Sequence, residues 1–138
     1  MVLRVLFVEH DEEVRSEYHQ YFQRQGYETF GAESAEQCIE LVQRVQPDVI
    51  TLEPEFFGEG EMMRVACCLN QYPLPVVFVT RLREAPRVET AIPAQAFFFK
   101  PVSMRLLDAT LHDAVTSSAH VPCNALQNFV SAGGPLGI

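Results

Sequence analysis

Four short segments of this 138-residue chain are rich in apolar residues without alternating: VLRVLFV (2–8), DVITLE (48–53), PVVFVT (75–80) and AQAFFF (94–99). A strand with one face in water alternates apolar and polar residues. A strand covered on both faces does not, and all-parallel sheets are the ordinary place for such strands. A weaker run, Tyr27–Gly31, supplies a fifth strand. Between the runs, apolar residues fall at helical spacing, so five strands alternate with five helical stretches. Short connections and right-handed crossovers turn that order into an α/β fold: a doubly wound five-stranded parallel sheet with helices on both faces.

The helical stretches carry start and stop signals. Asp11 caps a helix over 12–25 with Val14, Tyr18, Tyr21 and Phe22 at helical spacing, and Gly26 stops it. Ser34 and Gln37 fit a capping box for the next helix, which Pro47 ends. PEFFGEG (54–60) reads as a loop before a helix over 61–70, in which Met62, Met63, Cys67 and Cys68 read as core and groove filler. Pro86 and Pro93 allow only a short or irregular helix in 81–93. Ser103 caps a last helix to about Thr116, with Leu106, Leu107, Thr110, Leu111, Ala114 and Val115 on one side. Residues 1–117 therefore form one domain. Residues 118–138, with Gly, Pro and Ser around one apolar stretch at Leu126–Val130, read as a tail, linker or docking segment.

Composition narrows the function. Apolar residues make up 48% of the chain, enough for the core of one domain, and 18 acids against 10 bases give a net charge of −8. That balance lacks the basic footprint of direct nucleic-acid binding. No apolar run approaches the roughly 18–20 residues that span a bilayer. Arg4 in the first run, with acids directly after it, does not make a secretory signal. Cys38, Cys67, Cys68 and Cys123 include no Cys-x-x-Cys pair and read as reduced, mostly buried thiols. The expected location is the cytoplasm, with no membrane partner.

In a doubly wound sheet, ligand chemistry sits at the carboxyl ends of the strands. Strand one ends in Glu9, His10 and Asp11, strand three in Glu53, strand four in Thr80, and strand five in Lys100-Pro101. Acids there suit a hard cation. A hydroxyl and an ammonium suit the oxygens of a phosphoryl group. Lys100 is the only lysine; the other nine bases are arginines.

Over residues 2–116 the chain resembles the receiver domain of two-component response regulators. The resemblance rests on VLFVEHDEEVR, SAEQCIELVQRVQPDVITLE, PVVFVT and FFFKPV followed by a Ser-capped helix, in that order and spacing. It implies a flavodoxin-like fold. It also implies an acidic pair for magnesium after strand one, and an aspartate after strand three that takes a phosphoryl group from a histidine kinase. By resemblance Thr80 is the hydroxyl, Lys100 the lysine, Lys100-Pro101 a bond that is often cis, Phe97 the switch aromatic, and Glu9 the first acid. Asp11 follows as part of the acidic pocket or as the helix cap alone.

Two positions depart from the pattern. His10 stands where the second acid belongs, and Glu53 where the phosphoacceptor aspartate belongs. Glutamate adds a methylene, and about 1 Å of misplacement can cost about 100-fold in rate. An imidazole replaces an oxygen that magnesium prefers. The loop PEFFGEG also lacks the family's proline in its place. Magnesium binding is therefore expected to be weak or lost, with no other cofactor, and the chain to be a non-enzymatic interaction module that works without phosphorylation. Glu53 then either stands permanently for the phosphorylated aspartate, reaching toward Lys100 and Thr80, or lines a vestigial crevice. The alternative is a site with chemistry: weak phosphoryl acceptance, or a transition metal held by Glu9, His10 and Glu53. Expected partners are a sensor kinase, an output domain, another signalling protein or a second copy of the chain. Arg81, Arg83 and Arg87 form a basic patch near the crevice entrance.

Overall fold

The computed structural model describes residues 2–72, 74–81, 92 and 94–118. Its strands are β1 (Arg4–Val8), β2 (Glu28–Ala32), β3 (Val49–Leu52), β4 (Val76–Thr80) and β5 (Ala96–Phe99). All neighbouring strands pair in parallel, in the order β2-β1-β3-β4-β5. Among the described residues there are four α-helices: α1 (Glu12–Arg24), α2 (Ala35–Val45), α3 (Glu59–Leu69) and α4 (Met104–Ser118). None is long and apolar enough to cross a membrane. The irregular helix expected within 81–93, with Arg83, Pro86, Arg87 and Pro93, falls outside the described residues except at Arg81 and Ile92. So do Cys123 and the 126–130 stretch of the tail.

Successive strand residues serve opposite faces, which is why the strand sequences do not alternate. Val5, Phe7, Val49, Val77 and Val79 pack with Tyr18 and Phe22 of α1 and with Leu107, Leu111 and Ala114 of α4. Leu6, Val8, Ile50, Leu52, Val76 and Phe78 pack with Cys38 and Val42 of α2 and with Met62, Val65, Ala66 and Leu69 of α3. Fully burying one such large side chain contributes about 1.5–3 kcal/mol.

The caps follow from local chemistry. Asp11 accepts the N–H groups of Glu13 and Val14 at 2.9 and 3.1 Å. At the other end of α1, Gly26 takes φ 94°. Its N–H reaches the Gln23 carbonyl, and the Tyr27 N–H reaches that of Phe22, both at 3.0 Å. This turn needs the left-handed region that glycine enters freely. Ser34 accepts the Gln37 N–H, while the Gln37 side chain accepts from Glu33, one residue upstream of the expected partner.

Three expectations need correction. The 54–60 segment is not all loop: Pro54–Phe56 form a 3-10 turn, and α3 starts at Glu59 rather than 61. Glu61 supplies the missing start signal by accepting the Gly58 N–H. Met63 and Cys67 are exposed, while Met62 and Cys68 are buried. One helix turn separates Met63 from Cys67, so both lie on the face turned away from the sheet. Leu106 is 62% exposed, because α4 turns Leu107, Leu111 and Ala114 inward.

Candidate functional site

The strand order reverses between β1 and β3, and the carboxyl ends of β1, β3, β4 and β5 open on one crevice. Glu9 follows β1 and is 2% exposed. Its backbone N–H reaches the Ala32 carbonyl on β2 at 3.0 Å, continuing the ladder past the strand. Glu53 follows β3 and is likewise 2% exposed. Two buried carboxylates side by side require a counter-charge. Lys100, after β5, provides it: its Nζ donates to Glu9 Oε1 at 2.8 Å and to Glu53 Oε2 at 2.9 Å. The Lys100-Pro101 peptide is cis, and Pro101 itself is exposed.

His10 completes the cluster. Its Nδ1 lies 2.7 Å from Glu53 Oε1 and 3.5 Å from Glu9 Oε2. With Glu53 ionised, Nδ1 must carry the proton of the shorter contact. Burial pushes the Glu53 carboxyl up, but the hydrogen bonds from Lys100 and His10 outweigh it and hold it below the ordinary glutamate value. Lys100 mirrors this: burial disfavours its charge, and the bonds to Glu9 and Glu53 win, raising its pKa. The Arg81 Nε stands 3.8 Å from Glu53 Oε2 at the solvent side. With Arg81 more than half exposed, that contact is screened and weak.

Asp11 has its carboxylate on the α1 N-terminus, as the helix cap, and the Val14 N–H above all holds its pKa low. Its own N–H donates to Glu9 Oε2 at 3.1 Å, so Asp11 also orients Glu9. The donor atoms of Glu9, His10 and Glu53 lie within 4.8 Å of one another, close enough among the described residues to face one cation together. Phe97, on β5, is half-buried and meets Phe78 edge-on at 5.1 Å between ring centres.

Thr80 differs from the sequence expectation. It is 1% exposed, and its hydroxyl donates not to Glu53 but to Glu55 Oε1 at 2.7 Å. Glu55 Oε2 accepts the Arg81 N–H, also at 2.7 Å. The carboxylate reaching the end of β4 is thus the one two residues beyond Glu53. Arg15 is a second residue that sequence reasoning passed over: its guanidinium donates to the Glu9 carbonyl at 2.7 Å and holds the β1–α1 loop. Both long side chains act from a distance along the chain, and only the alternation of acids in Glu53-Pro54-Glu55 hints at the first.

Comparison with known proteins agrees with this architecture. The signal receiver domain of a putative Luxo repressor protein from Vibrio parahaemolyticus superposes with a TM-score of 0.70 at 22% identity, over 94% of this chain and 98% of that one. A CheY-like response regulator receiver domain protein from Methanospirillum hungatei JF-1 gives 0.72 at 16% identity, over 86% and 98%. The signal receiver domain of a modulated diguanylate cyclase from Desulfovibrio desulfuricans G20 gives 0.74 at 18%, over 86% and 98%. No curated protein sequence matches the chain significantly. The model of the response regulator receiver domain matches residues 5–112. With that match spanning most of the chain and the sheet order agreeing, the protein belongs to the response regulator receiver domain family, the signalling modules of two-component systems.

Proposed function

We propose that this receiver domain works as a protein-interaction module without phosphorylation, Glu53 standing where the phosphoacceptor aspartate would be. The observation that carries this reading is the position of Lys100, whose ammonium is already shared between two buried carboxylates. An incoming phosphoryl group would meet a cluster whose cation is spent and whose acids repel it. Glu53 is also the wrong length for the geometry an aspartyl phosphate needs. The partners are signalling proteins: a sensor kinase, an output domain or a second copy of the chain, in the cytoplasm.

The donor set does not fit magnesium. That ion takes oxygens in near-octahedral array, whereas here an imidazole nitrogen lies 2.7 Å from one carboxylate and an ammonium bridges both. No step of the reading runs through the ion. The test is incubation with a small phosphodonor and magnesium, followed by intact mass. The expected result is no gain; a stoichiometric acyl phosphate overturns the reading.

A second reading is favoured by one observation, the gathering of two carboxylates and an imidazole within 4.8 Å. That set suits zinc or manganese better than magnesium. Either metal must displace the Lys100 ammonium to bind. A melting-temperature rise that grows with zinc or manganese concentration supports this reading, and no shift removes it.

A further inference from the structure

We propose that Glu55 is a built-in ligand that closes the crevice: its carboxylate fills an anion site made by the Thr80 hydroxyl and the Arg81 backbone N–H. It thereby ties the turn after β3 to the end of β4. This inference rests on the bonds of Glu55 and not on the chemistry of Glu53.

The two oxygens of Glu55 serve two different donors, each at 2.7 Å. Charge-assisted bonds of this length are the strong ones. One donor is a nearly fully buried hydroxyl, and the other is a backbone group whose direction the end of β4 fixes. The ligand is aimed as firmly. Pro54 opens the 3-10 turn with its φ already set, and the Phe57 N–H closes it on the Pro54 carbonyl at 3.2 Å. The β3–β4 register pairs Leu52 with Phe78, which brings the turn abreast of Thr80. The same anchor fixes the backbone of Arg81, whose guanidinium hangs over Glu53 at the crevice mouth.

The ligand class is a small carboxylate. Held in the same chain, Glu55 competes at an effective concentration in the millimolar range or above, so outside carboxylates find the site taken. Replacing Glu55 by alanine deletes the two carbons and two oxygens of an acetate ion. Acetate is therefore the probe, read at the Arg81 amide by nitrogen-15 NMR and hydrogen exchange.

In the wild type the Arg81 amide should be protected and insensitive to acetate. In Glu55→Ala its exchange should rise by at least about tenfold, and about 10–100 mM acetate should restore the shift and the protection. Exchange at Ile50, bonded to the Pro75 carbonyl inside the sheet, reports that the fold is intact. Should the alanine variant not fold, Glu55→Met decides: it is close to glutamate in size and offers no oxygen to accept the Arg81 N–H, so Arg81 exchange should rise above that of the wild type. Unchanged exchange in either variant, or an acetate response equal to that of the wild type, overturns the proposal. An acyl phosphate on Glu53 would overturn the functional reading and leave this one standing, because no phosphodonor is present here.

Discussion

The Lys100 ammonium lies 2.9 Å from the Glu53 carboxylate, joining the end of β5 to the end of β3 across the width of β4. Glu9 takes the same ammonium from β1 at 2.8 Å. One cation thus fastens three strand ends, and its removal leaves two buried acids without the ammonium they share. Lys100→Met is expected to cost about 3–5 kcal/mol, the usual penalty for breaking a buried ion pair on one side. The triple change Lys100→Met, Glu9→Gln, Glu53→Gln should cost less than the single one, since it removes the uncompensated charges as well. Urea unfolding of the two variants checks the order.

The same cluster sets an acid limit on stability. The Glu53 carboxyl titrates below its unfolded value of about 4.3. Its contribution is present above that value and is lost as pH falls through the lower folded one. Glu53→Gln should flatten the loss of stability below about pH 4.3. Lys100 runs the other way: its folded pKa is raised, so its contribution is full below about 10.4 and fades as pH climbs through the higher folded value. Denaturant midpoints measured across pH in wild type and Glu53→Gln test both arms.

Asp11 is a cap before it is anything else, with two backbone N–H groups on its carboxylate. Asp11→Ala should lower stability by about 1 kcal/mol, the ordinary value of an N-cap. Asp11→Ser should recover most of it. A metal-binding role alone would make the serine variant no better than the alanine one.

Much of the fold was legible because β1, β3 and β4 are buried on both faces, which writes itself into the chain as apolar runs. The caps at Asp11, Ser34 and Gly26 were equally plain, since each rests on residues within a turn of one another. Helix α3 began earlier than expected because its start signal, Glu61 reaching back to Gly58, reads only once the helix is known. At the site, the convergence of Glu9, Glu53, Thr80 and Lys100 followed from their places at the carboxyl ends of parallel strands. The division of labour did not. Glu53 takes Lys100 while Glu55 takes Thr80, and which acid reaches which donor depends on a 3-10 turn inside a segment that reads as loop.

The two departures from the family pattern also set a reverse experiment. Shortening the acceptor and restoring the acid, Glu53→Asp with His10→Asp, should move the chain toward phosphorylation by a small phosphodonor with magnesium. Each single change should do less than the pair, because acceptor geometry and metal charge act on one step. Phosphoprotein yield by mass reads the outcome.

The central claim is that the wild-type crevice does not take a phosphoryl group. Fluorine NMR of the protein with beryllofluoride and magnesium addresses it most directly, since that adduct imitates the acyl phosphate without chemistry. The expected spectrum holds only free fluoride species. A bound set of resonances that Glu53→Gln abolishes would contradict the claim.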